Sequence, residues 1–453
     1  MTIALRDSPE SATAVASRPE STRLGLTFKV SVAAFLLGVY NFSLLAKTGV
    51  PGRVTLTALL VLVLLMGIGP HGPVKAVPGM GYLLALLVGA AGYTMSLLVS
   101  GSVLADANGQ RFFVTFPLAI CAGCVICSSR DAMNYLARSI TAVACLSAAL
   151  AVVEFAIGTS IFGRDAEFAS YFRDNSARAV VGAEHPLILG VLLGLAIPFA
   201  YACLRAWWLR WPTMLLLMAG IYATGSRGPL GIAVGVVIFM VLPGLARFMA
   251  RHFGVLFLAA LIGLATLWYY ASKVWQPVTS SSDALANSME YRAAIYSLLP
   301  RILLARPLGY GLGDLPANVW LIQAPDRAQD ITVTVDSQLV LSGMRLGWLG
   351  MALLGVILVV AVLAMRRRVD FGLSLFLITG AGTFVALDAW DGAGTLWMML
   401  FGCGLRLLSY PPHGAGIATI AHTHWDRDIG EPPTLDPVAS DPSTTVEQRD
   451  EYR

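Results

Sequence analysis

The residues able to do chemistry gather in three stretches. The first reads Arg173-Asp174-Asn175-Ser176-Ala177-Arg178 and leads to Glu184-His185-Pro186 at the mouth of an apolar run. A His and a Glu at such a boundary, with Pro at a helix start, can hold a proton or a hydrogen-bond donor against a substrate. The same residues also suit a plain helix N-terminus with Glu184 set against its dipole. The second stretch is Thr224-Gly225-Ser226-Arg227-Gly228-Pro229, where Arg227 stands between two apolar runs with only small residues around it. An arginine there can snorkel to the interface as a mere anchor. Gly225, Gly228 and Pro229 favour instead a sharp turn that holds the guanidinium in place, and a planar, permanently charged fork suits a diphosphate.

The third stretch is the long polar segment from about Ala271 to Asp336. From Asp283 the spacing predicts a helix, with Leu285, Met289, Arg292, Tyr296 and Leu299 on one face. Arg292 therefore falls within an apolar stripe, while Glu290 takes the other face. We expect this helix to lie on the outer membrane surface with Arg292 turned inward over a cavity. Arg301 and Arg306 follow, then Gly309-Tyr310-Gly311-Leu312-Gly313-Asp314. No strand precedes that glycine-rich piece and no Gly-Lys-Ser/Thr follows it, so it reads as a turn and not as a phosphate loop.

These stretches must be positioned by membrane helices. The 453-residue chain is 57% hydrophobic and 13% charged, with a mean hydropathy of +0.71. Soluble domains carry about 25% charged residues, so composition selects a polytopic membrane protein. A net charge of +4, scattered between apolar runs, gives no footprint for nucleic acid. Cys121, Cys124, Cys127, Cys145, Cys203 and Cys403 all lie inside apolar runs, which argues against a disulfide framework. Cys121, Cys124 and Cys127 repeat at helical spacing, but no charged or His partner is near, so they read as small packing residues. His422 and His424 read as chance histidines of a solvated tail.

Apolar runs near hydrocarbon length predict an all-α fold of about twelve transmembrane helices: 26–46, 54–70, 80–101, 112–129, 135–157, 184–204, 211–225, 229–249, 253–271, 337–365, 371–388 and 392–409. The seventh and eighth are separated only by Gly225–Gly228, and their merger would leave eleven. Pro117, Pro198 and Pro243 are expected to kink their helices. The organisation expected is a disordered cytoplasmic N-terminus over 1–25, helices one to nine over 26–271 and an outer loop over 272–336. Helices ten to twelve then fill 337–409, and a disordered cytoplasmic tail 410–453. The N-terminus lacks the short apolar core and cleavage site of a signal peptide. With it inside, the inner loops hold Lys75, Arg130, Arg138, Arg205, Arg210, Arg247, Arg251 and the Arg366-Arg367-Arg368 cluster. The outer loops hold few basic residues, so positive-inside asymmetry supports twelve spans, both termini cytoplasmic, and all three chemical stretches on the outer face.

In this order the features resemble the O-antigen ligase and O-antigen (exopolysaccharide) polymerase superfamily of membrane glycosyltransferases. The matched pieces are Arg178 with His185-Pro186, the Ser-Arg-Gly of Thr224–Gly228, Arg292 followed by Pro307-Leu308-Gly309-Tyr310-Gly311, and Asp336-Ser337 ahead of Gly343 and Leu346-Gly347. The large outer loop between the ninth and tenth helices is similar too. The resemblance implies a metal-independent glycosyltransferase with no cofactor, multi-pass in the bacterial inner membrane. It would take a glycan from undecaprenyl diphosphate at the periplasmic face and pass it to a growing acceptor glycan, or, as a ligase, to lipid A–core. A chain-length regulator is a further partner it implies. Arg227 and Arg292 would clamp the diphosphate, with Arg178, Arg301 and Arg306 also binding substrate, and a base would take the acceptor proton. Such proteins often carry His-Asn where this chain has Asp336-Ser337. That leaves Asp336, His185 or the leaving diphosphate itself to manage the proton.

The expected function is polymerisation of carrier-linked repeat units, with ligation next. Of another class, a secondary transporter or lipid-linked glycan flippase would place ionisable residues near mid-membrane. Here they gather at one face, which suits interfacial chemistry. Asp388 and Asp391, in the last outer loop, either join the site or cap it.

Overall fold

The computed structural model describes residues 24–46, 52–68, 72–73, 89, 107–162, 178–183, 185–204, 206–241, 284–313, 315–316, 319–323, 328–330, 337–366, 371–386 and 392–409. The expected third span apart from Gly89, the ninth span, Asp336, Glu184, Asp388, Asp391 and the tail with His422 and His424 lie outside the described residues. Three described helices are long and apolar enough to cross a membrane: Arg130–Ile157, Pro186–Cys203 and Gln338–Ala364. Shorter apolar helices include Leu26–Tyr40, Gly52–Ile68 and Arg227–Met240, and further helices cover Trp207–Ala223, Phe371–Ala386 and Gly392–Ser409. The chain is a helical membrane protein. The described residues are all but wholly helical, as the all-α expectation has it, with one short antiparallel ribbon pairing Leu321–Gln323 with Ala328–Asp330 in the polar segment.

Apolar helices gain little from one another by solvent exclusion in lipid, so close packing must hold them. Small residues provide it. A Cβ on Gly123 would meet the Met399 carbonyl, and one on Gly402 the Ile120 carbonyl. The Phe116–Ile126 and Gly392–Ser409 helices thus cross backbone to backbone. Thiols reinforce the crossing: Cys403 Sγ donates to Gly123 O at 3.3 Å and Cys124 Sγ to Gly402 O at 3.4 Å. The Pro186–Cys203 helix lies at the centre, packed against the helices from Arg130, Trp207, Arg227 and Phe371. Tyr40 ties the first helix to it, donating from its buried hydroxyl to Leu192 O at 3.0 Å.

Contacts sort the helix ends. Ser43 of the short Phe42–Ala46 helix donates through N–H and hydroxyl to Gly182 O at 3.1 and 3.0 Å. At the opposite end Tyr135 donates to Lys29 O at 3.0 Å. That end also carries Arg210, 4.6 Å from the Tyr201 ring, beside exposed Trp207, Trp208 and Trp211. Amphipathic aromatics of this kind are enriched where a helix meets the headgroups.

The expected spans 211–225 and 229–249 stay separate: the Trp207 helix ends at Ala223, and the next begins at Arg227. One expected boundary changes. The run 337–365 is broken at Gly347, whose φ of 56° and ψ of −138° lie outside helical space. The carbonyls exposed by the break need partners. Met344 O and Arg345 O accept from Tyr310 N and Gly311 N at 2.7 and 2.8 Å, and Trp348 N donates to Pro307 O at 2.9 Å. The Arg345 guanidinium spans back to Leu312 O and Gly313 O, both at 2.9 Å. The glycine-rich turn is therefore a clasp on a broken helix, and its Tyr310 and Gly311 amides are spent there. Trp348 to Arg366 alone spans about 28 Å at 1.5 Å per residue, still near the hydrocarbon thickness.

The clasp leaves no room for a side chain at Gly347, where a Cβ would meet the Pro307 carbonyl. Gly347→Ala adds left-handed strain and overlap and should destabilise by about 2–5 kcal/mol. Gly355→Ala, in open space on the same helix, should leave stability unchanged or slightly raised. Thermal unfolding in detergent, followed by a fluorescent thiol probe, compares the two.

Candidate functional site

Arg178 reaches the end of the Trp207–Ala223 helix. Its Nε donates to Thr224 O at 2.9 Å and its Nη2 to Ser226 Oγ at 3.1 Å. Gly225 makes this approach possible: its φ is +61°, and a Cβ there would lie 3.2 Å from Arg178 Cγ and Nε. The turn is bound internally as well, with Thr224 Oγ1 donating to Ile221 O at 2.7 Å. Arg227 emerges next, exposed, as the first residue of its helix. A guanidinium at a helix N-terminus adds to the partial positive charge of the unpaired amides. The arrangement suits an anion.

His185 sits at the N-cap of the Pro186–Cys203 helix, where its Nδ1 accepts from Leu187 N at 3.1 Å. Pro186 has no N–H, so Leu187 supplies the first orphan donor and the imidazole satisfies it. Burial, and then the nearby Arg178 guanidinium, lower the pKa of His185 to about 4. The ring is neutral at ordinary pH, and with Nδ1 accepting, its proton must sit on Nε2. The donor nitrogen of His185 is thus Nε2. A base would need the other tautomer, which would break the cap.

One residue invisible to the sequence reading organises this end. Glu154, fully buried near the end of the Arg130–Ile157 helix, accepts four hydrogen bonds. Oε1 takes Ser160 Oγ at 3.3 Å and Ile161 N at 3.0 Å. Oε2 takes Val180 N at 2.8 Å and Val181 N at 2.7 Å. Its only sequence signal is a lone carboxylate late in an apolar run.

Arg292 lies in the Ala284–Ala305 helix, one turn before Tyr296. Tyr296 donates to Ser337 Oγ at 3.2 Å, and Leu299 packs on Gly343. Tyr296 and Leu299 of the predicted stripe thus face the start of the broken helix. The side chain of Arg292 and all of Asp336 fall outside the described residues. Arg301 and Arg306 are exposed at the end of that helix, Arg306 with its guanidinium 5.5 Å from the Tyr310 ring, and Tyr310 accepts from Trp320 Nε1 at 2.9 Å. The expected site residues fall into two groups: Arg178, bonded to the turn that leads to Arg227 and near the His185 cap, and Arg301 and Arg306, at the end of the helix that carries Arg292, by the clasp. Among the described residues no group of three His, Cys, Asp or Glu could hold a metal ion.

No protein-family model matches the chain, and a search of curated proteins finds no match.

The His185 pKa gives stability a pH slope. Between pH 6.5 and about 4 the unfolded chain binds a proton that the folded chain refuses, so stability falls as pH drops through that window and is unaffected above it. His185→Asn keeps a capping oxygen without the titration. The melting temperature of wild type should therefore drop more than that of His185→Asn between about pH 7 and pH 5, and parallel drops would contradict the assignment.

Proposed function

We propose that the protein is a membrane glycosyltransferase that polymerises undecaprenyl-diphosphate-linked oligosaccharide repeat units into exopolysaccharide or O-antigen. It would act at the periplasmic face of the bacterial inner membrane. The observation that carries this reading is the turn braced by Arg178, which sets Arg227 at a helix N-terminus, while the same Arg178 stands near a neutral His185. A diphosphate is the anion that such a set suits: a charged fork, oriented amides and one neutral donor.

In the proposed reaction an acceptor hydroxyl attacks the anomeric carbon of the donor repeat unit. A new glycosidic C–O bond forms as the bond to the carrier diphosphate breaks, and the electron pair leaves on the diphosphate. Arg227 and Arg292 stabilise that growing charge, and His185 Nε2–H donates to a phosphate oxygen. The acceptor proton passes to Asp336, next to the Ser337 that Tyr296 holds. The tautomer of His185 moves the base role toward Asp336. Removing one positioned donor from such a site typically lowers kcat by about 10²–10³-fold.

A transporter or flippase reading draws on the broken helix, since transporters often coordinate cargo at unwound helices. Here the Met344 and Arg345 carbonyls at the break accept from the Tyr310 and Gly311 amides of the same chain, and the Arg345 guanidinium donates to Leu312 O and Gly313 O. Closed ends favour a structural role for the break.

Arg227→Ala and Arg292→Ala should each abolish long-chain glycan in a complemented deletion strain while the protein still inserts at wild-type level. Gel analysis of the envelope polysaccharide reads the outcome, and normal polymer length in both variants would sink the catalytic assignment.

A further inference from the structure

We infer that Glu154 is a positioning residue for the transfer reaction, acting through Arg178; this rests on the proposed glycosyl transfer at the Arg227 turn. An ionisable residue that far into an apolar run calls for a function and a partner. Its partners here are the backbone amides of the segment that carries Arg178.

The geometry shows what those bonds accomplish. Val181 has a φ of +55°, the one non-glycine residue with positive φ among the described residues. A β-branched side chain rarely adopts that conformation and keeps it only where the surroundings over-determine it. The surroundings are the Glu154 carboxylate on Val180 N and Val181 N, Ala183 N on Val180 O at 2.9 Å, and Ser43 on Gly182 O. On the other side of Val180, Ala179 N donates to Ala223 O at 3.0 Å. The main chain of Arg178 is therefore fixed between Glu154 and the end of the Trp207–Ala223 helix. From there its guanidinium reaches Thr224 and Ser226, and the turn sets Arg227. The chain of dependence runs from Glu154 to the Val180–Val181 amides, to Arg178, to the turn and to Arg227.

A carboxylate that served only to stabilise the fold would not be coupled to Arg178 in catalysis. A double-mutant cycle separates the two roles. Wild type, Glu154→Gln, Arg178→Ala and the double variant are placed in nanodiscs. They are given the carrier-linked repeat unit extracted from the deletion strain, and initial rates of carrier-diphosphate release are measured across donor concentrations. Glu154→Gln should lower kcat/KM by about 10- to 100-fold. Arg178→Ala should lower it at least as much, and the double variant no further than Arg178→Ala alone. Multiplied losses in the double variant, or wild-type kinetics in Glu154→Gln, would overturn the inference. Should Glu154→Gln fail to fold, Glu154→Asp, which keeps the carboxylate but shortens its reach to the Val180 and Val181 amides, takes its place in the cycle with the same outcomes. If wild type releases no carrier diphosphate, the glycosyl-transfer reading fails and this inference with it. If wild type is active and only the cycle is multiplicative, the reaction stands and the role of Glu154 falls.

Discussion

The carboxylate of Glu154 is the interaction on which this end of the molecule depends. It is wholly buried, and a buried charge is tolerated only when its lone pairs are met. Ser160, Ile161, Val180 and Val181 meet them. In doing so the carboxylate gathers chain from both sides of the segment between two spanning helices. Here two oxygens hold its ends in register with the Pro186–Cys203 helix, and they do so beside the bonds of Ser43 to Gly182. The Arg178 guanidinium, the Gly225 turn and the His185 cap are then built on a fixed base.

A second device fixes the other half of the candidate site. The helix that begins at Gln338 stops at Gly347 and restarts, and the Pro307–Gly313 clasp closes the gap with backbone bonds and the Arg345 side chain. The helix carrying Arg292 leads directly into that clasp. Tyr296 and Leu299 hold it against the same broken helix. The segment from Ala284 to Gly313 is thereby joined to the bundle at two points, its helix and its glycine-rich turn. Rigid support of this kind is what charge stabilisation in a transition state needs, because a guanidinium that must first be ordered contributes less.

Much of this was legible in the residue order where local chemistry decides. Gly225 marks the turn before Arg227 because its positive φ calls for glycine, Gly228 and Pro229 lie in the first turn of the next helix, and the two flanking helices are separate. The stripe through Tyr296 and Leu299 was readable from helical period alone. Glu154 was not readable, because its partners are amides of Val180 and Val181, which carry no side-chain signature. The break at Gly347 was hidden for a similar reason. Glycine is ordinary in membrane helices, and the segment that clasps it lies far away in sequence. The ribbon at Leu321–Gln323 is too short for alternation to announce it. For His185, sequence placed the residue, but only the bond from Leu187 revealed which nitrogen carries the proton.

The account holds that this set of groups joins carrier-linked repeat units. Deleting the gene and analysing the envelope glycan tests that most directly. Single repeat units retained on the carrier or on lipid A are the predicted result. Full-length polymer stranded on its carrier would contradict polymerisation and point to ligation, and unchanged glycan with a defect in solute uptake would contradict glycosyl transfer altogether.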